Sequence, residues 1–82
     1  MILVEVSVPA LGHSYDFELE ETARVELLIR EMVETICQKE RLQAFEEGQP
    51  FSLYSPEGRA RLDPQGTLAR NGVRAGQQLL LL

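Results

Sequence analysis

Val25-Glu26-Leu27-Leu28-Ile29-Arg30-Glu31-Met32-Val33-Glu34-Thr35-Ile36 is the stretch where the chain changes its hydrophobic period. Val25, Leu28, Ile29, Met32 and Ile36 follow the i, i+3, i+4, i+7 spacing that lines one face of an α-helix. Arg24, Arg30, Glu31 and Glu34 fall on the opposite, wet face, and Glu26 precedes Arg30 by one turn, the favoured order for an ion pair. Thr22 is expected to cap this helix, its hydroxyl accepting an otherwise unpaired first-turn N–H. Leu42 and Phe45 leave the register of the stripe. The helix is therefore expected to end or bend between Gln38 and Arg41, with Gly48 and Pro50 stopping whatever follows.

Outward from the helix the period is two. On the N-terminal side Ile2, Val4, Val6 and Val8 alternate with Leu3, Glu5 and Ser7, the mark of a half-buried strand. Pro9 ends it, because proline has no N–H to give a ladder. After a loop through Ser14, Tyr15, Phe17 and Leu19 alternate with Asp16, Glu18 and Glu20, which predicts a hairpin. On the C-terminal side Phe51, Leu53 and Ser55 alternate with Ser52 and Tyr54. Ser55-Pro56-Glu57-Gly58 then predicts a turn, with Pro56 setting φ and Gly58 supplying a positive φ. A short strand at Ala60-Arg61-Leu62, a loop through Gly66, one helical turn over 67–73 ended by Asn71-Gly72, a turn at Gly76 and a last strand from Gln78 to Leu82 complete the chain.

One helix covers one face of a sheet of four or five strands. The near-unbroken apolar runs Ile2-Leu3-Val4 and Leu79-Leu80-Leu81-Leu82 suit parallel, central neighbours. The fold class is α+β: a β-grasp roll in which a mixed four- to five-stranded sheet carries one amphipathic helix.

The 82 residues make one domain, 1–82, with a modest core and little room for a deep cleft. Cys37 is the only cysteine, so no internal disulfide forms and a reducing, cytoplasmic setting is expected. The N-terminus lacks a basic stretch, Glu5 interrupts its apolar run, and no segment is long enough to insert into a membrane. Thirteen acidic against eight basic residues give a net charge of −5, which opposes binding to nucleic-acid phosphates and anionic lipid heads. Arg59, Arg61, Arg70 and Arg74 are spread over loops and read as solvated.

Over its whole length the chain resembles ubiquitin-like proteins. The resemblance is carried by Leu62-Asp63, Thr67-Leu68, the polar turn that follows, Val73, and the closing Leu79-Leu80-Leu81. Within that superfamily it is similar to the small YukD-like proteins of bacterial type VII secretion systems. The alternating aliphatics after Met1 and the ending Gly72-Val73-Arg74-Ala75-Gly76-Gln77-Gln78-Leu79 carry that likeness. It implies a non-conjugated, cytoplasmic accessory protein whose partners are cytosolic parts of the secretion membrane complex, such as its ATPase or a ubiquitin-like domain within it. Modifiers and sulfur carriers of this fold end in a mobile Gly-Gly tail, absent here, so a conjugation role is not expected. A sulfur-carrier or modifier relative lacking that tail, and a regulatory domain of a larger protein, stay as alternatives.

No catalytic, cofactor or metal site is expected. His13, Ser14 and Asp16 are the residue types of a triad, yet near-consecutive hairpin residues do not converge as nucleophile, base and orienter. Cys37 beside Ile36 reads as a small buried hydrophobe with no zinc-ligand spacing around it. Glu18, Glu20, Glu21, Glu46 and Glu47 read as solubilising charge. What remains is a surface. If Phe51, Leu53, Leu79 and Leu81 face the helix, then Ser52, Tyr54, Leu80 and Leu82 face away, with Leu3 joining them. Tyr54, Leu80 and Leu82 are the expected partner-binding residues, for another protein or for a second copy of the chain.

Overall fold

The first hairpin forms where the alternation begins. In the computed structural model, which describes residues 1–40 and 51–82, β1 (Ile2–Val8) pairs antiparallel with β2 (His13–Leu19), one residue to one from Ile2↔Leu19 to Val8↔His13. The reversal is tighter than expected, since His13 and Ser14 already belong to β2. The Val8 carbonyl accepts the N–H of both Leu11 and Gly12, and Gly12 turns the chain at φ 67°.

Helix α1 (Val25–Glu40) buries Val25, Leu28, Met32 and Ile36, the face read from the spacing, while Ile29 is partly buried. Its start differs from expectation. Thr22 lies outside the helix, and its hydroxyl donates to Glu20 Oε1 at 3.0 Å. The first-turn donors go elsewhere: the Val25 N–H bonds to the Gly66 carbonyl at 2.9 Å and the Glu26 N–H to that of Pro64 at 3.0 Å. A distant loop therefore does the work of a cap, and no side-chain hydroxyl is needed. The Glu26 side chain is tied to the same loop. It accepts from Gln65 Nε2 at 2.9 Å and lies 4.0 Å from Arg24, the residues it meets in place of Arg30. The expectations placed on Leu42, Phe45, Gly48 and Pro50 lie outside the described residues.

Among the described residues β3 (Leu53–Ser55), β4 (Ala60–Arg61) and β5 (Gln78–Leu81) complete a five-stranded sheet of order β2-β1-β5-β3-β4. β5 runs parallel to β1 and antiparallel to β3, as the apolar ends of the chain required. The β3–β4 turn corrects a second expectation. The positive φ falls on Arg59 (51°) and not on Gly58, whose N–H bonds to Ser55 Oγ at 3.2 Å. Because the turn runs on to Ala60, its left-handed position moves one residue along the chain.

Val4, Val6, Val8, Leu53, Leu79 and Leu81 from the sheet pack on the buried face of α1. Leu62, Leu68 and Val73 close the end of the core. Leu68 is held there by one helical turn in which the Asn71 N–H reaches the Thr67 carbonyl and the Val73 N–H returns to that of Leu68. Gly72 at φ 77° makes that return possible.

Candidate functional site

With the helix on one face of the sheet, period two assigns everything else to the other. Tyr54 on β3 stands directly opposite Leu80 on β5, and Leu80 stands beside Ser7 on β1. On the far side of Tyr54 lies Arg61 of β4, exposed. Leu82 follows Leu80 on the same face, fixed by reciprocal backbone bonds with Ser52 of 2.7 and 2.9 Å. Leu82 is 51% exposed, while Tyr54 and Leu80, expected to be largely exposed, are half-buried by their neighbours.

Leu3 does not join them. It is 51% exposed, but its carbonyl accepts the Gly76 N–H. That sets it about four residues, or ~13 Å, along the sheet from Leu80. The parallel β1–β5 register, invisible in either strand alone, decides this. Leu3 is instead paired with Glu18, and Glu5 with Asp16, so the outer face divides. Over β2 and β1 it carries Glu5, Asp16 and Glu18 around Leu3; over β5 and β3 it carries Tyr54, Leu80 and Leu82 with Ser52 and Gln78, and Arg61 lies at its rim.

The other candidates separate. His13 lies on the helix side of β2, its ring centroid 6.3 Å from that of Tyr15, whereas Ser14 and Asp16 point to the outer face. Cys37 is partly exposed, less enclosed than its apolar neighbour Ile36. Glu20 is taken up by Thr22, and Glu21 Oε2 lies 3.3 Å from the Met1 ammonium. A hydrogen bond from its own backbone N–H, then that ammonium, lowers the Glu21 pKa against the opposing effect of burial. Glu46 and Glu47 lie outside the described residues. Among the described residues no group of three His, Cys, Asp or Glu side chains is arranged to hold a metal ion.

One contact was not foreseen. The Tyr15 hydroxyl donates to Glu40 Oε1 at 2.7 Å, and Lys39 Nζ sits 5.5 Å from the centre of its ring. The bond to the Glu40 carboxylate, then burial and the negative charge, push the phenol up to about 12. Only the crossing of α1 over β2 brings these residues together, and neither period shows it.

The chain shares its fold with ubiquitin-like domains. Over 99% of its length it superposes on 91% of the EccD5 ubiquitin-like domain from Mycobacterium xenopi, with a TM-score of 0.77 at 16% identity. It matches equally well a fifth (20%) of a chain in the MycP5-free ESX-5 inner membrane complex, with a TM-score of 0.76, 17% identity and 99% of this chain covered. The N-terminal ubiquitin-like domain of the 4931431F19Rik protein aligns at 0.68 with 20% identity, over 99% of this chain and 72% of that one. No curated protein sequence matches closely enough to count as a relative. Among the described residues no helix is long and apolar enough to cross a membrane. Residues 3–81 match the family described as "WXG100 protein secretion system (Wss), protein YukD", and the chain belongs to that family.

Proposed function

We propose that residues 1–82 act as a single, non-conjugated ubiquitin-like interaction module, an accessory component of a type VII secretion system. It works in the cytoplasm and carries out no catalysis itself. The observation that carries this reading is the divided outer face. Tyr54, Leu80 and the exposed Leu82 form an apolar set on a sheet face that the helix does not cover. A contiguous apolar set of this kind, flanked by polar and charged residues, marks a protein-binding site. Membership of the secretion family, and the fold shared with a chain of an inner membrane complex, support cytosolic parts of such a complex or its ATPase as partners. A second copy of the chain fits the same face.

The test is to retrieve the tagged protein from its own cells, identify what accompanies it by mass spectrometry, and measure its intact mass. Cytosolic secretion-complex components in the retrieved set, with the protein itself as a free chain, support the proposal. A thiocarboxylate, or adducts through the C-terminal carboxylate, would make it a carrier or modifier. A longer chain with further domains would make it a regulatory piece of a larger protein.

A further inference from the structure

Asn71 is the chain's only asparagine, and Gly72 follows it. In an unconstrained chain this pair is chemically labile. The Gly72 backbone nitrogen, once it gives up its proton, attacks Asn71 Cγ. The C–N bond of the side-chain amide then breaks, and ammonia leaves with a proton taken from solvent. A five-membered succinimide remains, and water opens it at either carbonyl to give aspartate or isoaspartate. Glycine has no side chain to shield the attacking nitrogen. Gln65-Gly66 has the same order of residue types, but its cyclisation needs a larger ring and is slower, so Asn71 is the reactive position.

The fold holds both reacting groups away from this path. The Gly72 N–H bonds to the Ala69 carbonyl at 3.1 Å. The half-buried Asn71 side chain is engaged at both ends. Its Oδ1 accepts the Asp63 N–H at 2.9 Å, while its Nδ2 donates to the Thr67 carbonyl at 2.8 Å and to the Asp63 carbonyl at 3.2 Å. One amide thus clasps the loop after Leu62 to the turn that carries Leu68 and Val73 into the core. We propose that Asn71 is a site of spontaneous deamidation that reacts only when this clasp opens, and that the reaction keeps it open. An aspartate at 71 still accepts the Asp63 N–H, but its second oxygen replaces a donor where two carbonyl oxygens converge. An isoaspartate adds an atom to the backbone inside the turn, which displaces the Val73 N–H from the Leu68 carbonyl. Because ammonia is lost, the change is one-way and marks chains that have spent time open. This site is independent of the Tyr54, Leu80 and Leu82 face and does not rest on it.

The full chain is aged in mildly alkaline buffer at graded guanidinium chloride, and the mass gain of amide to acid is located by peptide mass spectrometry. In unfolding denaturant the gain appears at residue 71 at least about tenfold faster than in the folded chain, as for a clasp open a tenth of the time or less. In the Asn71→Asp chain the unfolding equilibrium constant rises about tenfold or more, as expected for acceptors left without their donor. Where that variant does not fold, a half-reacted sample of the unaltered chain is refolded and run on a urea-gradient gel, and product at 71 collects in the chains that unfold first. Equal rates in folded and unfolded chains overturn the gating, and product at Gln65 ahead of Asn71 overturns the site. An Asn71→Asp chain as stable as the unaltered one, or product spread evenly between early- and late-unfolding chains, overturns the claim that the reaction keeps the clasp open.

Discussion

Leu79 and Leu81 are 0% and 1% exposed, while Leu80 is half-buried and Leu82 is 51% exposed. Four identical side chains in a row thus meet two environments. The helix stripe of Val25, Leu28, Met32 and Ile36 covers one face of β5 and leaves the other to Ser7, Tyr54 and Ser52. The difference teaches that hydrophobicity by itself does not separate core from outer face here. Pleat and helix placement do, and the parity of its position decides whether a leucine is enclosed or left on the outer face.

The comparison is broken most severely from the inside. Leu79→Ala or Leu81→Ala removes methyl groups from a packed site and should lower unfolding free energy by about 2–5 kcal/mol, read from urea denaturation. If Leu80→Ala costs as much, the two faces are not different and the assignment of the strand fails. A second contrast, between glycines, is smaller. Gly72→Ala meets no atom within 4 Å, yet it places a side chain at φ 77° and should cost about 1–2 kcal/mol. Gly58→Ala adds only ordinary contact with Ser55 at 3.5 Å and should be neutral or stabilising by up to about 1 kcal/mol, since it restricts the unfolded chain. Thermal melts of the two variants should differ, with Gly72→Ala lowered and Gly58→Ala unchanged or raised.

The smallest effect sharpens the helix side through pH. The Tyr15 phenol is raised in the folded state from its ordinary 10.0 to about 12, first by its bond to Glu40. The neutral phenol is therefore the form that folding favours. Its contribution is complete below pH 10 and is lost as pH rises toward about 12. Ultraviolet titration should show one tyrosine ionising near the upper value, and Tyr15→Phe should remove this part of the alkaline loss of stability. Ionisation of Tyr15 at its ordinary value would mean that Glu40 does not hold it.

What was legible in the sequence follows the range of the interaction. Val4, Val6 and Val8, or Leu28 and Met32, announce their burial through neighbours two to four positions away, so the strands, the helix face and the outward placement of Tyr54, Leu80 and Leu82 could be read directly. Non-local pairing could not. The helix start was misplaced at Thr22 because its caps are the Pro64 and Gly66 carbonyls. Leu3 was misplaced because its height on the sheet depends on the β1–β5 register. The bond from Tyr15 to Glu40 was missed because it needs the crossing of α1 over β2. The positive φ at Arg59 was missed for a local reason, a turn that runs past Gly58 and closes on the Ser55↔Ala60 pair.

The most direct test places a charge at Leu80. Calorimetric titration of the proposed secretion-complex partner against Leu80→Glu, with urea denaturation of the same variant, reads binding and stability together. Unfolding free energy should stay within about 1 kcal/mol of the unaltered chain, because an outward residue leaves no cavity. Affinity should fall by about thirtyfold or more, as expected for a central apolar contact worth about 2 kcal/mol. A folded Leu80→Glu that binds at full strength would contradict the assignment of this face and move docking elsewhere, such as the helix around Arg30 and Glu34.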